Sequence, residues 1–262
     1  MNKNFLLNKT TIIAGSAIAL LAISAVGSTR AALTQTENMQ YNLSVSDLSV
    51  DLYELHTKDD KAEYVSVSDG GKLLSTLVGE GENFQIGKTY AEQTAFSNDG
   101  NYDAYVRVII TKSWKDGTVK DTTLDPALID VTMADSGAWY KDEAASTQER
   151  EVYYYKTVVA APERDEDNNI VALDYVPITS AISVKNDVTQ IVTKNGTTGN
   201  ITTTYDYDGK SFDLDIEVDA LQTHNAVDAA KASWGVVLNL DSDGSISSVS
   251  HLGDSEDTNL GE

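Results

Sequence analysis

The chain has 262 residues, 41% of them hydrophobic and 23% charged, with 19 basic side chains against 41 acidic ones and a formal net charge of −22. That length suits one large domain or two small ones, and the apolar fraction is too high for a disordered chain. So acidic a balance works against nucleic acid, whose phosphates need Lys and Arg to release their counterions, and against an anionic membrane surface. With no cysteine in the sequence, disulfides, thiolate zinc sites and cysteine nucleophiles are excluded.

Lys3 and Lys9 precede a continuous small-apolar run from Ile12 to Val26. At 15 residues the run is short for crossing a hydrocarbon core ~30 Å thick, and it suits the central region of a secretory signal peptide. Thr29 and Ala31 supply small residues at −3 and −1 if cleavage falls between Ala31 and Ala32. Residues 1–31 therefore read as a signal peptide, with an uncleaved membrane anchor as the alternative. They hold three basic residues and no acidic one, so the chain beyond them carries 16 basic and 41 acidic residues, or −25. The expectation is a protein exported to the cell surface or extracellular matrix, with no stable membrane insertion after cleavage.

Residues 32–45 follow as an N-terminal strand. Leu33, Met39, Tyr41, Leu43 and Val45 share the odd face, while Thr34, Thr36, Asn38, Gln40, Asn42 and Ser44 fill the even one, which is the period of a half-buried strand. The phase flips at Leu48, Val50 and Leu52, placing a bulge or corner near Ser46-Asp47. Turn signals recur at Gly70-Gly71, Gly79-Glu80-Gly81, Asp99-Gly100 and Asp116-Gly117. Between the last two, Tyr102 to Trp114 is rich in β-branched and aromatic residues and reads as an inner strand. Val152 to Val159 reads as another, and its consecutive Tyr153, Tyr154 and Tyr155 must straddle both faces, leaving at least one partly exposed. Residues 163–169 form a charged loop and Asn195 to Asn200 a hairpin connection.

Phe212, Leu214, Ile216 and Val218 alternate with Asp213, Asp215, Glu217 and Asp219, giving a strand with one core face and one ladder of carboxylates. Asn225 is placed to cap a short helix that Gly235 ends. Val236 to Leu240 closes the fold, and the Ser- and Gly-rich stretch 241–262, with six acidic residues and no basic one, reads as a flexible tail. Many short strands, regular turns and one or two short helices define a mainly all-β class. The expected architecture over residues 46–240 is an antiparallel β-sandwich of jelly-roll or Greek-key type.

Catalytic signals are sparse. His56, His224 and His251 stand in no spaced pair of the kind that puts two imidazoles on one helix face; His56 reads as lying near a turn and His251 in the tail, neither held. No nucleophile elbow, phosphate loop or dinucleotide fingerprint is present. Hard oxygen donors are abundant, so calcium is the ion to consider. Asp165, Asp167 and Asn169 have the opening spacing of a calcium loop, as do Asp241 and Asp243, but neither stretch supplies the later Gly and Glu. Both read more readily as solvated turns, and no cofactor is otherwise indicated. Trp114, Trp139 and Trp234 read as core or rim aromatics rather than sugar platforms, and Arg107 as pairing with an acid or reaching outward.

Several motifs in order carry a resemblance. They are the leader ending Gly-Ser-Thr-Arg-Ala-Ala-Leu before an alternating strand; Ser49 to Glu54; Asn98 to Val108; Tyr153 to Lys156; and Val218 to Gly235. Together they resemble the TasA/camelysin-type exported proteins. This chain departs from the family's pattern where Ile86-Gly87-Lys88 stands in place of a Pro-Gly. The resemblance implies a jelly-roll subunit of biofilm-matrix fibres from a Gram-positive bacterium, with a leader removed by a dedicated signal peptidase. It implies as partners further copies of the chain and an accessory matrix protein. Camelysin-type members have also been classed as metallo-endopeptidases, an activity for which this sequence offers no recognisable zinc motif.

A physical route to fibres follows. A sandwich with an unpaired edge exposes backbone donors and acceptors that a strand from a neighbour can satisfy. Leu33, Met39, Tyr41, Leu43 and Val45 are the candidate assembly residues, unless residues 33–45 are simply the first strand of their own sandwich. Alternatives for the whole chain are a secreted adhesin or ligand-binding module and, third, a secreted hydrolase.

Overall fold

The structure is a computed structural model and describes residues 48–58, 61–67, 77, 84–186, 190–194, 201–207 and 209–253. The expected signal peptide with its Ala31–Ala32 junction, the candidate assembly residues Leu33, Met39, Tyr41, Leu43 and Val45, the expected corner at Ser46-Asp47, the expected turns at 70–71 and 79–81, the expected 195–200 connection and residues 254–262 lie outside the described residues.

The chain opens with β1 (Val50–Lys58), β2 (Lys61–Ser66), β3 (Thr89–Tyr90) and β4 (Thr94–Asn98). Next come β5 (Ala104–Asp116), β6 (Val119–Asp121), β7 (Ile129–Met133), β8 (Trp139–Lys141) and β9 (Arg150–Tyr155). β10 (Val176–Pro177), β11 (Thr179–Val184), β12 (Gln190–Lys194), β13 (Ile201–Tyr205) and β14 (Lys210–Gln222) follow. Helix α1 (Ala226–Ser233) and a hairpin of β15 (Val236–Leu240) and β16 (Ile246–His251) end the described chain. Two 3-10 turns, Pro126–Leu128 and Ser136–Ala138, sit between strands.

Every strand pair among the described residues is antiparallel. One sheet runs β10-β4-β1-β2 and a second β3-β11-β7. They continue into one layer where the Ile178 amide donates to the Thr94 carbonyl at 2.8 Å and the Thr94 and Thr179 hydroxyls meet at 2.8 Å. The main sheet runs β14-β5-β9-β8, with β6 also paired to β5. The fold is thus mainly β, an antiparallel sandwich.

β5 explains the layering. Val106, Val108 and Ile110 point into a core shared with Phe96 and Ile178 of the first layer and Ile216 and Val218 of β14. Tyr105 and Ile109 point the opposite way, into a second core with Val152, Tyr154, Leu221, Ala226, Ala230, Val236, Leu238 and Ile246. A third cluster gathers Trp114, Leu124, Ile129 and Val184 at one end. A strand buried on both faces needs a near-continuous apolar run instead of alternation, and Ala104–Ile110 supplies it. Each large side chain so buried contributes about 1.5–3 kcal/mol.

The stretch from Asp241 is not a tail up to Gly253: it turns at Gly244 (φ +84°) and returns as β16, whose Ile246 is 1% exposed. Polar Ser247, Ser248 and Ser250 mask a strand that needs only Ile246 and Val249 to dock. The domain assigned to residues 46–240 therefore extends through this hairpin. The expected strand Val152–Val159 ends at Tyr155; Tyr153 and Tyr154 are buried, one toward each core, while Tyr155 stays partly exposed, as three consecutive tyrosines require. The inner strand starts at Ala104, leaving Tyr102 half exposed in the preceding turn. Asn225 does precede α1, but in the left-handed region (φ 53°) and without a side-chain cap.

Candidate assembly surface

β14 pairs with β5 along its whole length, from Lys210 opposite Asp116 to Gln222 opposite Ala104. Its inward side chains are Phe212, Leu214, Ile216 and Val218, the last two buried. On its other face Asp213 and Asp215 are exposed and Glu217 half-buried, so the carboxylate ladder is wet over its first part. The ladder's last member departs from that reading, because Asp219 is buried. Arg107 stands across from it in register and donates from Nε to Asp219 Oδ2 at 3.0 Å. The guanidinium lies over the Trp234 ring, 5.0 Å from its centre. Packing α1 and Trp234 over this end removes water from both charges, which then need one another.

The start of β14 is pinned by charge. Lys210 Nζ donates to Asp116 at 2.7 Å and lies 2.8 Å from Asp121 Oδ2. The Lys210 hydrogen bond, followed by those from the Thr123 hydroxyl and amide, lowers the Asp121 carboxyl to about 2. The same contacts, Asp116 first, raise the Lys210 ammonium. Along its outer edge β14 has no strand partner among the described residues.

The other long outer edge belongs to β2, where every residue but Tyr64 is exposed. Tyr64 stacks on Tyr175 with ring centres 4.5 Å apart, and Tyr175 meets Tyr53 edge-on at 4.9 Å. Burial, then the nearby Asp51, Tyr175 and Asp99, push the Tyr53 phenol up to about 12.

The calcium candidates are held by their own loops. Asp165 Oδ1 accepts the amides of Asp167 (3.0 Å) and Asn169 (2.8 Å), and the Asn169 side chain donates to both carboxylate oxygens. These bonds, the Asn169 side chain foremost, lower the Asp165 carboxyl. Asp241 and Asp243 sit in the β15–β16 turn, where Asp243 Oδ1 accepts the Ser245 amide at 3.0 Å. The two stretches thus occupy separate turns. Among the described residues no three of His, Asp and Glu gather around a point that could hold a metal ion.

The histidines read as unheld are in fact anchored. His56 Nε2 donates to Glu54 Oε2 at 2.9 Å, and Glu54 is 2% exposed. His251 Nε2 donates to the buried Asp142 at 2.9 Å, tying the closing hairpin to the main sheet. His224 stays exposed. Trp114 and Trp139 are core residues as read.

One residue had no signal of its own beyond its turn context. Asn98 is buried, donates from Nδ2 to the carbonyls of Tyr102, Val159 and Ala160, and accepts the Gly100 amide at 3.0 Å. It fastens the β4–β5 turn to the irregular stretch after β9 at Val159 and Ala160, which accounts for Asn-Asp-Gly-Asn-Tyr as a local motif.

Against known protein families, curated proteins and solved structures, the chain finds no significant match in any of the three.

Proposed function

We propose that the chain is a secreted structural subunit of extracellular, biofilm-matrix fibres that assembles head to tail by β-strand addition. The observation that carries this reading is an antiparallel sandwich whose thirteen-residue strand β14 has no outer strand partner among the described residues. A long unpaired edge is a template for another strand: main-chain hydrogen bonds give affinity and alternate side-chain pockets give register. The alternating residues 33–45 are a strand of matching form in the same chain. Joining such a segment of one copy to the edge of the next makes a heterologous contact that does not close, so it propagates. The partners under this reading are further copies, an accessory matrix protein and the signal peptidase that frees the segment; the place is the matrix or cell surface.

The second reading, a secreted adhesin or ligand-binding module, draws on the stacked Tyr64–Tyr175 pair and on the exposed Val65 and Val171.

Electron microscopy of the full chain, secreted and processed by its producing cell and examined over a range of salt, tests the proposal. Filaments are expected. Dispersed monomers at every salt concentration would overturn it and favour the adhesin.

A further inference from the structure

We propose that Tyr64 and Tyr175 form an oxidative coupling site, at which a peroxide and a haem peroxidase join the two rings through a carbon–carbon bond and so staple the edge strand β2 to the segment entering β10. Neither fibre formation nor strand addition is required for it.

The two rings already lie as a pair. They stack with centres 4.5 Å apart and planes 23° from parallel, within the range in which aromatic rings attract. Tyr175 is 36% exposed and Tyr64 half-buried, so an oxidant at the surface reaches the pair and the rings have room to slide from stacking into bonding contact. Tyr53 also meets Tyr175, at 4.9 Å, but edge-on at 83° and only 8% exposed; its ring is packed in place and lacks that freedom. The sequence holds no cysteine, the side chain that oxidants otherwise take first.

The sheet gives the bond its use. In the order β10-β4-β1-β2, β2 stands at the opposite end from β10, which begins directly after Tyr175. Every residue of β2 but Tyr64 is exposed. Tyr64 sits opposite Leu55, and Tyr53 opposite Ser66, so Tyr53, Leu55 and Tyr64 share one face, where Tyr175 meets both tyrosine rings. A Tyr64–Tyr175 bond therefore spans the sheet from one end to the other and closes a long loop of chain, which restricts the unfolded state more than the folded one.

The chemistry balances. Each phenol gives up one electron and its hydroxyl proton, leaving a phenoxyl radical with spin on the carbons ortho to oxygen. Two of these carbons join; each then sheds its hydrogen as a proton while its oxygen regains one, restoring two phenols. The net loss of two electrons and two protons reduces one hydrogen peroxide to two waters.

Dilute full chain, secreted and processed by its producing cell, is treated with hydrogen peroxide and a haem peroxidase, with tyrosine amide as the control for the reagents. The expected product is a monomer with dityrosine fluorescence and a raised urea midpoint, in which mass spectrometry finds the peptides holding Tyr64 and Tyr175 joined with the loss of two hydrogens. Tyr64→Phe or Tyr175→Phe should abolish it, whereas Tyr53→Phe and, at the exposed Tyr102, Tyr102→Phe should retain it. The peptide map of the parent chain decides even if a variant fails to fold. Coupling at other tyrosines instead, coupling only between chains, or no coupling while the control reacts overturns the site; an unchanged urea midpoint in the linked monomer overturns the staple.

Discussion

Asp219 carries a charge that the fold has almost sealed from water, and Arg107 is what makes that tolerable: side-chain exposures are 14% for Arg107 and 6% for Asp219. Removing one partner leaves the other buried and uncompensated. Asp219→Ala should therefore lower unfolding stability in urea by about 3–5 kcal/mol, whereas Arg107→Met with Asp219→Leu should stay close to the parent chain. Asp121 gives a pH-dependent counterpart. Its folded pKa of about 2 lies below the ordinary 3.8, so its contribution is complete above that ordinary value and fades as pH falls from about 4 toward 2. The stability difference between the parent and Asp121→Asn should be constant near neutrality and shrink across that acid window. Tyr53 behaves in the opposite sense. Its pKa near 12 against 10 favours the protonated form in the fold, so stability is whole below pH 10 and falls as pH rises from there toward 12. Spectrophotometric titration should show that phenol ionising only with unfolding or well above the exposed tyrosines. Of these residues, Arg107 was legible as a charge among apolar neighbours needing an acid, but its partner was not. Asp219 sits in a ladder that looks uniformly wet, and nothing local reveals that α1 covers its last rung.

At the scale of elements, legibility followed periodicity. The uninterrupted alternation from Phe212 to Asp219 predicts a strand over Phe212–Ala220, and the observed strand extends that reading by two residues at each end. β5 was recognisable from composition because both its faces are apolar. β16 was not, since its serines give no alternation and its acidic neighbours suggest a tail; burial of Ile246 against Tyr105 and Leu238 is a tertiary fact. The Tyr105 hydroxyl also donates to the Gly244 carbonyl at 2.7 Å, fixing the hairpin's turn. Ile246→Ala should cost about 2–5 kcal/mol in thermal or chemical unfolding, as for other large-to-small core changes. A change of under half a kcal/mol would mean the hairpin is not docked in solution. Asn98 makes the same point for turns. Asn98→Ala removes the donor to the Tyr102, Val159 and Ala160 carbonyls and an acceptor of the Gly100 amide, of which Val159 keeps the Ala104 amide and Gly100 the Ser49 carbonyl; a loss of about 1–3 kcal/mol is expected, on the order of one unsatisfied buried group.

For the molecule as a whole, the fold class could be read from spacing of strands and turns, while the third layer could not, because its helix and hairpin carry few large apolar residues. In the proposed fibre, the −25 carried by the chain beyond residue 31 spreads repulsion over the subunit contacts. Screening shortens to about 8 Å at physiological ionic strength, so assembly should speed up with added salt, and light scattering at increasing sodium chloride should show a shorter lag. In the proposed assembly a leading segment of one copy completes the edge of the next. Deleting residues 32–44 and imaging the secreted chain by electron microscopy tests it most directly. A folded monomer with the parent's circular dichroism and urea midpoint and no filaments at any salt is expected; filaments of normal length from that variant would rule the assembly out.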